Sequence, residues 1–282
     1  MIIDFHTHTF PEKIAGRALG KLAHMADSRP YTDGTADDLI RSEKQAGIDL
    51  SVILPVATSP SQHETINRTA VLVSQEFLSQ GLLSFGGIHP DNENYREILS
   101  GLAEKGIRGI KLHPVYQRVP FDDIRNLRIL DCASELGLIV IIHAGYDIGY
   151  PGESFASPRH ILSAIEQVHP QKLVLAHMGG WACWDEVERD LAGAPVWLDT
   201  SFSITPIRPP EDSPHAGQEA AQMDLQQFLR IIEKHGAHRI LFGTDSPWSE
   251  QKEALHAVCS SGCSPGQLQL ILGENAKKLL AL

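Results

Sequence analysis

The residues best suited to chemistry come at the start of the chain, where Asp4-Phe5-His6-Thr7-His8 places two histidines one residue apart on a short β-prone run. Side chains along a strand alternate between faces, so His6 and His8 point the same way and both imidazoles can reach one ion. Alone, such a pair would equally suit two surface histidines on an edge strand. Further candidates recur downstream: His89, His113, His143 and His177 close apolar runs of strand length, and Asp245 directly follows another. Any one of them could be a capping or packing residue; their recurrence at the same end of successive runs is what implies a shared site. Histidine nitrogen and aspartate oxygen suit zinc and other borderline divalent metals such as manganese, iron or nickel. Such an ion, with one coordination position open, can lower the pKa of a bound water to about 7. A neighbouring carboxylate can then take the water's proton, the role assigned to Asp245. Lys111, in Gly109-Ile110-Lys111-Leu112-His113, alternates onto the same face as His113. A lysine facing inward there needs a partner or a modification.

Eight apolar runs position these groups, at 2–6, 50–56, 83–89, 109–113, 138–143, 173–177, 196–200 and 239–244. Segments of helical period lie between them at 36–46, 64–79, 95–104, 124–135, 158–167, 184–191 and 224–235, with more helix at 251–258 and 265–280. This alternation predicts βα units and a mostly parallel sheet. Gly47, Gly81, Gly106, Gly137 and Gly236 each follow a periodic segment and suit left-handed helix C-caps. Eight strands can make an open doubly wound sheet or a closed barrel, and no Gly-x-Gly-x-x-Gly follows the first strand to support a dinucleotide-binding sheet. In a barrel the histidines and Asp245 would meet at the C-terminal ends of the strands. The polar, proline-rich stretch 201–223 after the seventh strand would overhang that face as a lid.

Composition narrows the partners. A chain of 282 residues with 42% hydrophobic and 21% charged residues is an ordinary globular chain with a sizeable core. A net charge of -11 argues against a nucleic-acid backbone as ligand, which needs a basic face. The longest apolar run, 136–142, is too short for a bilayer, and no secretory signal is visible. Cys132, Cys183, Cys259 and Cys263 are scattered in a pattern unlike zinc ribbons or redox pairs. A cytoplasmic protein with reduced thiols, a small-molecule substrate, and neither nucleic-acid nor membrane partners is expected; homo-oligomerisation stays open.

These motifs resemble the amidohydrolase superfamily, and especially its amidohydrolase-related branch, which includes aminocarboxymuconate-semialdehyde decarboxylase-like enzymes. Ile3-Asp4-Phe5-His6-Thr7-His8 is similar to the family's first-strand metal motif. His143 in Ile141-Ile142-His143-Ala144-Gly145 is similar to its fifth-strand ligand, and His177 in Ala176-His177-Met178-Gly179-Gly180 to its sixth-strand histidine. Asp245 in Phe242-Gly243-Thr244-Asp245-Ser246-Pro247 matches its eighth-strand aspartate. The resemblance covers nearly the whole chain and implies an α/β fold, a (β/α)8 TIM barrel forming a single domain over residues 1–282. In one-metal members His6, His8, His143 and Asp245 would hold the ion, with His177 as acid or base. In two-metal members a carboxylated Lys111 would bridge both ions and His177 would join the ligands.

The expected cofactor is therefore a divalent metal, zinc by preference, as one or two ions. The expected function is a metal-dependent hydrolase using activated water on an amide, cyclic amide, lactone or related ester, with Asp245 and His177 catalytic. The alternative is a non-oxidative decarboxylase of the same branch. A metal-binding regulator on a retired scaffold would leave no reason for so complete a ligand set, and deoxyribonuclease-like relatives usually carry a glutamate near the position of Lys111. Substrate contacts are expected from His89, His113, Arg118, Tyr146, Trp181 and Trp248, with Tyr150, Trp184 and Arg208 as further loop candidates.

Overall fold

Nine parallel strand segments form the centre of the protein, seen in a computed structural model that describes residues 1–218, 220 and 222–282. They are β1 (Ile3–Thr7), β2 (Leu50–Ile53), β3 (Leu82–Ser84), β4 (Gly86–Gly87), β5 (Gly109–Leu112), β6 (Ile139–Ile142), β7 (Leu173–Leu175), β8 (Trp197–Asp199) and β9 (Ile240–Leu241). Ladders join β1 to β3 in one group and β4 to β9 in another. The two groups meet at both seams. β3 and β4 are parts of one strand interrupted at Phe85, whose N–H donates to the Ile53 carbonyl at 2.9 Å. At the other seam the Phe5 N–H donates to the Phe242 carbonyl and the Asp245 N–H to the His6 carbonyl, each at 2.8 Å. Eight strands thus run in order around one α/β barrel.

The strands are short, and nearly every residue in them is buried, because one face fills the barrel and the other carries the helices. Ile3, Phe5, Val52, Leu83, Phe85, Ile139, Ile141, Val174 and Leu241 pack the interior, with Phe5 edge-on to Phe85 at 5.8 Å. Ile110, Leu112, Val140, Ile142, Leu175 and Ile240 face outward to helices that include Ile124–Glu135, Pro158–Val168 and Leu225–His235. Polar caps begin these helices: Asp123, Ser157 and Asp224 accept from the backbone of the first turn. All five glycines expected after helices have positive φ.

Two features differ from expectation. Residues Glu12–Ala26 form a helix that the strand-centred reading left unassigned. Its burial is confined to Ala15, Leu19 and Ala23, a stripe too small and alanine-rich to stand out in the sequence. The start of the 201–223 stretch is built into the protein, with 201–205 and Ile207 buried. Glu219 and Ala221, also in the expected lid, lie outside the described residues. No helix among the described residues is long and apolar enough to cross a membrane.

Candidate active site

A β-bulge sets the geometry of the first motif. Asp4 pairs with Ser51 but Thr7 with Ile53, so β1 carries one extra residue between these pairs. Simple alternation would give Asp4 and His6 the same face. Instead Asp4 points into the polar layer behind the strand, where Thr244 and Gln251 donate to its carboxylate at 2.6 and 2.8 Å. His6 turns to the barrel mouth, and Gly243 makes room for it, since a Cβ there would come within 2.9 Å of the His6 Cβ.

Four histidines and two charged groups meet on the cleft floor. His6 Nε2 and His8 Nε2 lie 3.4 and 3.0 Å from Asp245 Oδ1, and Lys111 Nζ lies 3.2 Å from His6 Nε2. His177 Nε2 faces His143 Nδ1 at 3.0 Å. The partners on the far side of each ring determine the tautomers, because carbonyls and carboxylates can only accept. His6 Nδ1 donates to Asp199 Oδ2 at 2.9 Å and His8 Nδ1 to the Leu54 carbonyl at 2.8 Å. His143 Nε2 donates to the Tyr146 carbonyl at 2.8 Å, and His177 Nδ1 to the Ser201 carbonyl at 3.1 Å. Each ring therefore spends its proton outward and turns its lone pair inward.

The fit to a cation follows from that arrangement. His177 Nε2 against His143 Nδ1 brings acceptor to acceptor at 3.0 Å with no proton between them, and His8 Nε2 lies 3.0 Å from the Asp245 carboxylate. The first contact repels unless a positive charge lies beside it, and imidazoles anchored by second partners are the usual surroundings of a divalent metal. The ligand atoms of His6, His8 and Asp245 all lie within 4.8 Å of one another. Burial holds His6 and His177 well below the usual histidine range and His143 down at about 3, so these rings are neutral. Burial lowers Lys111 to about 8, opposed by Asp199 and Asp245, so the amine keeps its proton at neutral pH. Burial raises Asp245, whose backbone takes the left-handed conformation at φ 68°. His177 at φ 59° and Phe202 at φ 51° share that strain, which concentrates at functional sites.

A second His/Asp group adjoins the first. His113 Nε2 and His143 Nε2 lie 3.5 and 3.7 Å from Asp147 Oδ2, with the two imidazoles stacked at 4.2 Å. One ligand atom from each of these three residues also lies within 4.8 Å of the others. His143 faces both groups, its Nδ1 toward His177 and its Nε2 toward Asp147.

The other expected substrate contacts divide. His113, Trp181 and Trp248 line the cleft with His6, His8, Lys111, His143, His177 and Asp245. His89 does not; its Nδ1 accepts from the Asp91 N–H at 3.2 Å, tying the ring to its own turn. Arg118 is outside, paired with Glu153 at 2.7 Å and stacked over Tyr150. Tyr146 is largely at the surface, and only its carbonyl serves the site. Trp184 donates to the His177 carbonyl at 3.0 Å, and Arg208 forms a two-pronged pair with Glu253.

Three contributors went unrecognised in the sequence. Asp199, fully buried, accepts from His6 Nδ1, from the His177 and Ser201 N–H groups and from the Ser201 hydroxyl. Its signal was an acidic residue inside the apolar run Val196-Trp197-Leu198-Asp199. Asp147 lies four residues after His143, and Tyr116, stacked on His113 at 3.7 Å, three after His113. Gly145 joins the loops: around it, at φ 86°, the Tyr146 N–H donates to the Trp181 carbonyl and the Trp181 N–H to the Ala144 carbonyl, and a Cβ would sit 2.4 Å from the Trp181 backbone.

The model of the amidohydrolase family matches residues 3–282. No curated protein matches the chain. Among solved structures, 5-carboxyvanillate decarboxylase from Sphingomonas paucimobilis aligns with TM-score 0.72 at 13% identity, covering 100% of this chain and 99% of that one. A dihydroxybenzoic acid decarboxylase from Polaromonas sp. JS666 with bound manganese aligns at 0.72 and 16% identity, over 100% and 97% of the two chains. A putative 2-pyrone-4,6-dicarboxylic acid hydrolase from Pseudomonas putida aligns at 0.67 and 20% identity, over 99% and 97%. At these identities the alignments establish the fold. Decarboxylases recur among the matches, and this corrects the expectation of an amide- or ester-cleaving hydrolase in favour of its alternative. The donor set fits a divalent metal, and manganese in such a neighbour leaves the expected zinc without specific support.

Proposed function

The chain belongs to the amidohydrolase family, and from that premise we propose that it is a metal-dependent decarboxylase, removing carbon dioxide from a small carboxylic acid without an oxidant. One observation carries this reading: a floor of inward-facing imidazoles with Lys111 and Asp245 closes a mainly apolar cleft of about 210 Å³. Recurrent decarboxylases among the structural neighbours support the same chemistry.

His6, His8 and Asp245 are proposed to hold one divalent ion, zinc or manganese, with His143 Nδ1 and His177 Nε2 turned toward the same space. When bound, that ion supplies Lewis-acid neutralisation of the acid's oxygens. Lys111 adds a fixed positive charge beside His6, and Phe202 and Trp248 shield the carboxylate from water. In the reaction the bond between the carboxyl carbon and its neighbour breaks, the electron pair stays on the neighbour, and a proton takes the place of carbon dioxide. No electron acceptor is needed. The proton comes from solvent: His177 Nε2, whose lone pair faces the cleft while Nδ1 donates to the Ser201 carbonyl, is proposed to take it from water and pass it to that carbon. Asp245 is assigned here to the ion and its positioning.

The test incubates metal-loaded protein with a panel of carboxyl-labelled aromatic and aliphatic acids. Labelled carbon dioxide should appear, the product should gain one deuterium on carbon in heavy water, and Asp245→Asn should lose at least about 100-fold in rate. No carbon dioxide across the panel with stoichiometric metal bound, or oxygen from water in the product, would sink the proposal.

A further inference from the structure

The walls above the floor differ from it in kind. Phe10, Leu22, Leu54, Val56, Phe202 and Trp248 form an apolar surface facing the rest of the substrate. Among the described residues no arginine lines the cleft, and Lys111, the one lysine there, lies at the floor, 1% exposed. The nearby loop arginine Arg118 is turned to Glu153, and Arg208 is engaged by Glu253 and Tyr31. Thr9, Thr58 and Tyr116 bring neutral hydroxyls to the walls. Asp147 lines the same cleft beside Ile148, so a second anion placed there would meet a carboxylate.

Taking the decarboxylase reading as its basis, we infer that the substrate is a monoanion: a carboxylic acid whose only charged group is the one lost, attached to an apolar body bearing at most neutral polar substituents. A second carboxylate or a phosphate would be stripped of water against Leu22, Val56 or Phe202 with no cation to receive it, a cost that outweighs the added contact area. A hydroxyl or carbonyl on the body carries no charge to strip of water and can be met by the Thr9 or Tyr116 hydroxyl of the wall. Dicarboxylic acids, which need a guanidinium or ammonium at each end, are excluded by the same walls.

Binding separates this inference from the reaction itself. Metal-loaded full-length protein is titrated by calorimetry with 3-methylbenzoate and with isophthalate, which differ only in a methyl against a second carboxylate. The methyl acid should bind at least about 100-fold more tightly. Leu22→Arg places a guanidinium on the wall from a half-buried helix position and should shrink that preference at least about tenfold. Isophthalate binding to the unmodified protein as tightly as 3-methylbenzoate, or failure of both to bind, overturns the inference. Absence of carbon dioxide release across the acid panel alongside the expected binding preference fails the decarboxylase reading alone. Release from a tightly bound dicarboxylate fails the monoanion inference alone.

Discussion

Asp199→Asn is the sharpest perturbation of the site, because it changes one atom of a residue that touches no substrate. The carboxylate is fully buried and accepts from His177 N at 3.0 Å, Ser201 N at 3.0 Å, Ser201 Oγ at 2.5 Å and His6 Nδ1 at 2.9 Å. An asparagine of the same shape keeps its carbonyl oxygen on the three donors at the Oδ1 position. Its amide then faces His6 Nδ1, donor against donor. The ring escapes by moving its proton to Nε2, which restores the hydrogen bond but removes the lone pair from the cleft floor. Exchanging charged for neutral hydrogen bonds costs roughly 1–2 kcal/mol, and one such bond is re-formed. The melting temperature of the metal-free protein should therefore fall by no more than about 8 °C. Metal affinity, which needs that lone pair, should fall by about 10–100-fold, the usual cost of losing an anchoring partner. Chelator competition measures the affinity and calorimetry the stability. An Asp199→Asn protein that melts normally and binds metal within twofold of the unmodified protein would refute the tautomer argument, and with it the case for His6 as a ligand.

Other consequences can be checked separately. Glu43, 2% exposed, is raised to about 8 by burial and secondarily by Asp4, with a Ser51 hydrogen bond opposing. Because its folded pKa lies above its unfolded value near 4.5, its contribution is fully present below pH 4.5 and is lost as pH rises toward 8, by at most about 5 kcal/mol. Glu43→Gln should flatten that decline in denaturant titrations; an unchanged slope would contradict it. Gly145→Ala puts a methyl 2.4 Å from the Trp181 backbone at φ 86° and should cost more than about 3 kcal/mol, read as a lower denaturation midpoint. Gly16→Ala, in open space on the helix Glu12–Ala26, should gain about 0.5–1 kcal/mol in the same assay.

The barrel was legible because its signals are local and repeated: apolar runs of five to seven residues, five of them entered from a helical segment ended by glycine. His6, His8 and Asp245 could be placed together because all occur at strand ends, where the fold leaves little choice. The bulge in β1 was not legible, since an extra residue in a strand changes no composition, and the face of His6 follows from it. Asp147 and Tyr116 were hidden for a related reason. Loop geometry brings them to His143 and His113, and their spacings of four and three residues are as common in any helix or turn. Arg118 and Arg208, plausible anion binders by type, each face a glutamate that is distant in sequence, Glu153 and Glu253.

The correction from hydrolase to decarboxylase has the same root. Histidines, an aspartate and a lysine at strand ends specify a place for a cation and a supply of protons, and both reactions use that much. What separates them is whether water or the substrate's own carboxylate occupies the polarised position, which depends on the volume facing the floor and how wet it is. Here that volume is bounded by Phe10, Leu22, Leu54, Val56, Phe202 and Trp248, residues drawn from helix Glu12–Ala26 and from loops after the first, second, seventh and eighth strands. Each is an unremarkable apolar residue in its own segment. Their collective effect, a mainly apolar wall over a polar floor, supports the proposed release of a carboxylate that disperses its charge on leaving over the use of a water that must be positioned and deprotonated. On the proposed decarboxylation, selection lies with the surface that has the least chemistry in it, and Leu22→Arg tests that surface without touching a proposed metal ligand.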